Sequence, residues 1–234
     1  MNGISFLMMP MVLMAAAPAA AAGSFEKDLL PTAAGDLKIT FIGHASLMFE
    51  FGGKVIHIDP VDQFGDYSKL PKADLILATH DHFDHTDPKT IERLSTGGTK
   101  LVLAPLTAAK LGRGTTLKNG EETTVEGIRI EAVPAYNLVH MRSPGKPFHP
   151  KGDGNGYILT LGDKRVYIAG DTENIPEMKG LGRIDVAFLP MNLPYTMTPA
   201  MVADAARMVR PKILYPYHTT DTDTAQLLPL LKDE

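Results

Sequence analysis

The sequence predicts a layered α/β domain. Short apolar runs of strand length recur along its 234 residues and are separated by a few helix-like segments. Four of these runs finish on or beside a residue type that binds metal: Asp59, His80, Asp171 and His218. The third observation is local. Residues 79–85, Thr-His-Asp-His-Phe-Asp-His, place three imidazoles and two carboxylates directly after the apolar run 75–78. Side chains at strand ends can converge on one rim of a layered core, where the strands hold them and the loops beyond are free to shape a pocket. With 44% hydrophobic and 21% charged residues, the chain is long enough and apolar enough to bury such a core.

The first 22 residues differ in kind, being apolar over 4–14 and Ala-rich up to Gly23. They read as a secretory signal with a small-residue cleavage site, although only the terminal amine supplies positive charge at its start. Pro10, Pro18 and the Ala-rich half argue against a retained membrane-spanning helix. The mature domain is expected over 23–234, periplasmic or secreted, with no stable membrane span once the signal is removed.

Residues 24–36 form a polar entry. Strands are expected over 37–42 and 46–51, flanking the turn Gly43-His44-Ala45, and Gly52-Gly53 turns the second into 54–58. That is an antiparallel start. The third strand ends at Asp59-Pro60, and the run 75–78 leads into His80. Asp87 and Pro88 open a helix over 88–94 that Gly97-Gly98 closes, and a strand over 101–104 follows. Residues 123–133 alternate as one strand. The runs 157–161 and 165–169 pair across Gly162-Asp163, the second ending at Gly170-Asp171. Strand 186–189 precedes a helix capped by Thr198 and opened by Pro199, whose Met201, Val202, Ala205, Met208 and Val209 share one buried face until Pro211 stops it. Strand 213–215 ends near His218, and a last helix is expected from Thr224 onward.

A formal net charge of -4 and a pI near 6.1 give no broad basic surface, so nucleic acid is not an expected partner. There are no cysteines, so any metal must be held by imidazole and carboxylate. The ligand set of 79–85 suits zinc or another first-row divalent ion, and its His-x-His-x-Asp-His spacing can serve two neighbouring ions.

Taken with Asp59 in Ile58-Asp59-Pro60, Asp171 in Ala169-Gly170-Asp171-Thr172 and His218 in Tyr215-Pro216-Tyr217-His218, the cluster His80, His82, Asp84 and His85 resembles that of the metallo-β-lactamase-fold superfamily of metal-dependent hydrolases. Gly43-His44-Ala45-Ser46 is similar to the branch holding ascorbate-phosphate lactonase-type and N-acyl-phosphatidylethanolamine phospholipase D-type enzymes. The resemblance covers nearly all of the mature chain. It implies a four-layer αββα sandwich, the metallo-β-lactamase fold, with a dimetal site on the shared edge of two sheets. It further implies His80 and His82 on a first metal, Asp84, His85 and His218 on a second, and Asp171 bridging both. The expected ions are two Zn2+, with Mn2+ or Fe2+ as alternatives, and the expected nucleophile is a hydroxide shared between them, so no Ser or Cys nucleophile is needed. Asp84 and Asp171 thereby count among the catalytic groups.

The superfamily usually supplies a third His to the first metal from a motif between the cluster and the bridging Asp. Here that stretch, 133–137, reads Val-Pro-Ala-Tyr-Asn. His140 and His149 are the candidates downstream, and His149 is preferred because Phe148-His149-Pro150-Lys151-Gly152 is a stiff loop leading directly to the strand at Tyr157. His44 and Asp59 are expected behind the ligands, orienting them. Tyr195, on the loop before Pro199, is the candidate proton donor or oxyanion partner. Tyr136, Asn137, Lys151 and Asn192 are polar loop residues able to face the pocket.

The expected function is an exported metal-dependent hydrolase that cleaves a phosphodiester, lactone or carboxylic ester in a small-molecule or lipid-like substrate. A diiron oxidoreductase would be expected to carry Glu at the second ligand position, where this chain has His82. Two alternatives stay open: β-lactamase-like amide hydrolysis, whose enzymes generally carry Cys or Ser in place of Asp171, and a non-catalytic metal-binding protein of the same fold. Assembly as a homo-oligomer also stays open.

Overall fold

A computed structural model describes residues 12–13 and 25–232. The expected signal segment therefore lies outside the described residues, apart from β1 (Val12–Leu13). The remaining strands fall into two large sheets and one small hairpin.

The first large sheet runs in order through β2 (Glu26–Thr32), β3 (Gly35–Gly43), β4 (Ser46–Phe51), β5 (Lys54–Ile58), β6 (Leu75–Ala78), β7 (Lys100–Leu103) and β8 (Thr115–Thr116). β2 to β5 are antiparallel neighbours, whereas β5 to β8 are parallel. The strand β2 replaces the expected polar entry. It is an edge strand whose residues are all exposed or half-buried, so its Glu-Lys-Asp sequence carries no apolar alternation, and only pairing with β3 makes it a strand.

The second sheet uses β9 (Glu122–Val125), β10 (Ile128–Ala135), β13 (Gly154–Leu161), β14 (Lys164–Ile168), β15 (Val186–Pro190) and β16 (Ile213–Tyr217), in the order β1-β16-β15-β14-β13-β10-β9. The hairpin of β11 (Met141–Ser143) and β12 (Lys146–Pro147) stands apart. The single strand expected over 123–133 is two, because Glu126 (φ 52°) and Gly127 (φ 80°) both turn left-handed and fold β9 back onto β10. β14, β15 and β16 are mutually parallel.

Among the described residues, three α-helices complete the layers. α1 (Pro88–Leu94) has Asp87 as its cap, with the Asp87 carboxylate accepting from the Lys89 N–H. α2 (Pro105–Leu111), absent from the sequence reading, starts directly after β7 and ends at left-handed Gly112. α3 (Pro199–Val209) is capped by Thr198 and buries Val202, Ala205 and Val209. The last expected helix is a 3-10 helix over Thr224–Leu230, since Pro229 inside it has no N–H to give an α-helical ladder.

The main core lies between the sheets, where Leu37, Phe49 and Leu77 of the first meet Leu159, Ile168 and Phe188 of the second. α1 and α2 cover the outer face of the first sheet through Ile91, Leu94 and Ala108, which pack with Ile76 and Leu103. α3 covers the outer face of the second sheet, its Val202 and Val209 packing with Tyr167 and Leu189. The order helix, sheet, sheet, helix is the expected αββα sandwich.

Candidate metal centre

Strand direction decides where the polar residues meet. β3, β5 and β6 all run the same way, so His44, Asp59 and His80 lie beyond their carboxyl ends on one rim of the first sheet. β14 and β16 likewise deliver Asp171 and His218 to one rim of the second sheet. The two rims are tied together, for the Asn155 N–H donates to the Thr79 carbonyl at 2.8 Å and the His218 N–H to the His44 carbonyl at 3.0 Å. Gly170 makes the approach of Asp171 feasible: its φ is +66°, and a Cβ there would meet the Asn155 carbonyl oxygen at 2.7 Å. His44 (φ 53°), Asp59 (φ 45°) and His218 (φ 50°) hold left-handed backbone without being glycine. Such conformations cost energy and mark sites where geometry serves function.

The side chains gather into three overlapping groups whose ligand atoms lie within 4.8 Å of one another: His80, His82 and His149; His80, His85 and Asp171; and His44, Asp84, His85 and His218. Asp171 is the hub. Its Oδ1 lies 3.3 Å from His85 Nε2, and its Oδ2 lies 3.2 Å from His149 Nε2, 3.4 Å from His218 Nε2 and 3.9 Å from His80 Nε2. Asp84 Oδ2 lies 3.2 Å from His44 Nε2 and 3.8 Å from His218 Nε2. Asp84 and His44 thus stand on the side away from His80, His82 and His149.

The donor set fits divalent cations. His80 Nε2, His85 Nε2, Asp171 Oδ1 and both ring nitrogens of His218 are buried side-chain atoms with no hydrogen-bond partner. Buried polar atoms are ordinarily paired, and four of these, His80 Nε2, His85 Nε2, Asp171 Oδ1 and His218 Nε2, gather around Asp171 and call for a further electrophile. A cavity of about 30 Å³ beside them is lined by His80, His82, His149 and Asp171.

The outward-facing nitrogens explain why the inward ones are bare. Asp59, fully buried, accepts from the Thr79 N–H and hydroxyl, each at 2.7 Å, and its Oδ2 lies 2.7 Å from His85 Nδ1. The Thr79 hydroxyl gives its proton to Asp59, so it can only accept from His80 Nδ1 at 3.0 Å. Both rings therefore carry their proton on Nδ1 and turn Nε2 inward, the arrangement a metal-binding imidazole needs.

Burial holds His80 well below the ordinary imidazole range, and burial together with neighbouring His149 lowers His82. Burial alone would raise the carboxyls of Asp171 and Asp84, yet the imidazoles around them, led by His218, hold both well below the usual carboxylate range. His85 goes the other way: burial opposes its charge, but the carboxylates of Asp171 and Asp59 raise it well above the ordinary value. A divalent cation among these groups would balance the carboxylates of Asp171 and Asp84.

The structure brings His149, and not His140, to His80 and His82. His140 Nδ1 instead meets the buried carboxylate of Glu173 at 2.7 Å. A cleft of about 600 Å³ opens from the centre and is lined by His82, Asp84, His149, Tyr195 and His218 among others. The Tyr195 ring stands edge-on to Phe148 with centroids 5.0 Å apart. Asn192 also lines this cleft. Tyr136 and Lys151, expected as pocket candidates, both bind Glu177 instead. Sequence reasoning missed Thr79 and Glu173. Thr79 had a usable signal, since it stands between a strand and the first ligand, whereas nothing local distinguishes Glu173 from an ordinary loop acid.

The profile of the Beta-lactamase superfamily domain matches residues 38–218. The chain is 35% identical over 195 residues to a UPF0173 metal-dependent hydrolase of Thermococcus kodakarensis, covering 78% of this chain and 84% of that one. A crystal structure from Parabacteroides distasonis, provisionally named a metal-dependent hydrolase, superposes with a TM-score of 0.86 at 51% identity, covering 89% of this chain and 94% of that one. The metallo hydrolase Igni18 of Ignicoccus hospitalis superposes with a TM-score of 0.64 at 28% identity, covering 78% and 82% of the two chains.

Proposed function

The chain belongs to the Beta-lactamase superfamily as a metal-dependent hydrolase, and from that premise we propose that it uses two divalent cations, Zn2+ first among them, to cleave an ester-type bond. The bond class is a phosphodiester, lactone or carboxylic ester in a small-molecule or lipid-like substrate. The observation that carries this reading is the convergence of partnerless nitrogens on Asp171 from both sheets.

His80, His82 and His149 would hold one cation, Asp84, His85 and His218 the other, and Asp171 both. When bound, the pair supplies Lewis-acid activation of water and polarisation of the scissile carbonyl or phosphoryl group. The protein does the rest. Thr79 and Asp59 orient His80 and His85, while His44 orients Asp84 through its 3.2 Å contact. The Tyr195 side chain, half exposed on the cleft wall, would give a proton to the leaving oxygen. The 600 Å³ cleft suits a substrate of drug-like size. Residues 1–22 would direct export, a point that cell fractionation tests.

The test is to measure bound metals by elemental analysis and then screen the loaded protein on phosphodiester, lactone, carboxylic ester and β-lactam substrates, with His85→Ala as control. Turnover of an ester-type substrate that His85→Ala abolishes is the expected result. Bound metal with no turnover of any substrate would leave a non-catalytic metal-binding protein, and β-lactam cleavage alone would replace the ester reading.

A further inference from the structure

His149 differs from the other imidazoles of the centre in how it is held. His80 and His218 stand just beyond strand ends, whereas His149 sits on the loop between β12 and β13. A loop residue needs another source of precision, and two side chains outside the ligand set supply it. Asn137, just past the end of β10, contacts His149 directly, and Glu173, two residues after Asp171, stands behind Asn137.

The amide of Asn137 has four partners. Its Nδ2 donates to Glu173 Oε1 at 3.1 Å and to the Tyr195 carbonyl at 2.9 Å. Its Oδ1 accepts from the His149 backbone N–H at 2.8 Å and lies 2.7 Å from His149 Nδ1. Three of these partners have a single role: a carbonyl and a carboxylate accept, and a backbone N–H donates. Those three settle which end of the amide is oxygen. The fourth role follows, because an oxygen can only accept, so His149 Nδ1 must carry the proton. In the neutral ring the lone pair is then on Nε2, the atom 3.2 Å from Asp171 Oδ2 and grouped with His80 and His82.

Glu173 makes the arrangement rigid. It is fully buried, and its two oxygens accept from the backbone N–H groups of Leu138 (2.7 Å), Val139 (2.8 Å) and His140 (2.7 Å) as well as from Asn137, with His140 Nδ1 at 2.7 Å. Both oxygens face backbone donors, so neither has room for a proton of its own. One carboxylate thus anchors the chain that follows Asn137 and the Asn137 amide together.

We propose that Glu173 and Asn137 are positioning residues: they lock His149 in the Nδ1–H tautomer and aim its Nε2 at the site shared with His80 and His82. The inference rests on the proposed metal centre for what Nε2 meets, but the tautomer itself needs no metal. Asn137 belongs to the stretch 133–137, where a third imidazole was expected, and takes on the task of holding the imidazole that comes from elsewhere.

Two measurements test this. Long-range 1H–15N correlation spectra of the chelator-treated protein should show His149 protonated on Nδ1, and Asn137→Ala should lose that preference. A His149 protonated on Nε2 alone in the wild type overturns the proposal, as does an unchanged Nδ1–H preference in Asn137→Ala. Metal titration against a competing chelator gives the second readout. Asn137→Ala should bind one of two ions about 10- to 100-fold more weakly. Adding Asn137→Ala to His149→Ala should cost nothing further, because the amide acts through the ring. Losses that multiply in the double variant, or wild-type affinity for both ions in folded Asn137→Ala, contradict the proposal. If Asn137→Ala fails to fold, the wild-type tautomer decides alone. If the wild type binds no divalent ion, the proposed function falls while the tautomer measurement still tests this inference.

Discussion

Asp59 Oδ2 lies 2.7 Å from His85 Nδ1, with both side chains fully buried. The same carboxylate takes two further hydrogen bonds from Thr79, whose hydroxyl in turn faces His80. One strand-end aspartate therefore sets the tautomer of two imidazoles, one directly and one through a threonine.

Replacing that aspartate should loosen metal binding with little change in shape. In Asp59→Asn the amide oxygen can still accept from the Thr79 N–H, but the NH2 then stands in place of the oxygen that faces both the Thr79 hydroxyl and His85 Nδ1–H. We expect about 10- to 100-fold weaker metal affinity with the fold retained, read by chelator competition and circular dichroism. Asp59→Ala leaves buried donors unpaired and should lower unfolding stability by about 3 kcal/mol, read by urea denaturation.

Gly170→Ala should be destabilising for two reasons that act together. The backbone is left-handed, and the new Cβ would meet the Asn155 carbonyl oxygen at 2.7 Å and Thr79 Cβ at 3.2 Å. A cost of about 1–3 kcal/mol is expected in denaturant unfolding, together with weaker metal binding because Asp171 follows directly. Stability equal to that of the wild type would show that the rim is softer than these distances imply.

His57 predicts an acid limb of stability. It lies on β5 with its ring against Tyr67 and its Nε2 3.1 Å from the Pro71 carbonyl, and burial pulls its imidazole from 6.5 down to about 4. As pH falls below 6.5 the unfolded chain takes up a proton that the folded chain refuses until about pH 4. Stability is therefore complete above pH 6.5 and lost as pH falls toward 4, by up to ~3 kcal/mol. In chelator-treated protein, unfolding free energies measured between pH 7 and pH 4 (~pH 4 being the folded value) should fall more steeply for the wild type than for His57→Gln. Parallel slopes would remove His57 as the cause.

Tyr195→Phe separates chemistry from assembly. The side chain lines the cleft and is half exposed, while only its backbone carbonyl serves Asn137. Loss of the hydroxyl should lower kcat by about 100-fold if it donates the leaving-group proton, with KM and metal content unchanged. Wild-type kcat on a substrate with a poor leaving group would exclude the role.

Much of the fold was legible because its signals are local. Asp87-Pro88 and Thr198-Pro199 start α1 and α3, Gly52-Gly53 and Gly162-Asp163 turn strands back on themselves, and each depends on residues a few positions apart. What escaped had no local signature or a concealed one. β2 is polar because it lies at an edge, β9 and β10 looked continuous because Glu126 gives little warning of a left-handed turn, and α2, as short as α1, starts after Ala104, which has no side chain to cap it as Asp87 caps α1.

The sequence by itself determined which residues could make a metal centre: the cluster at 80–85 and the strand-end residues Asp59, Asp171 and His218. Residue type and position relative to a strand are properties of the chain. Only the tertiary structure decided that His149 and not His140 joins His80 and His82, that Thr79 and Asp59 turn the ring nitrogens inward, and that Glu173 stands behind Asn137. Those relations join residues from separate loops and from both sheets, and their distances are set by how the two sheets stack and by which way each strand runs.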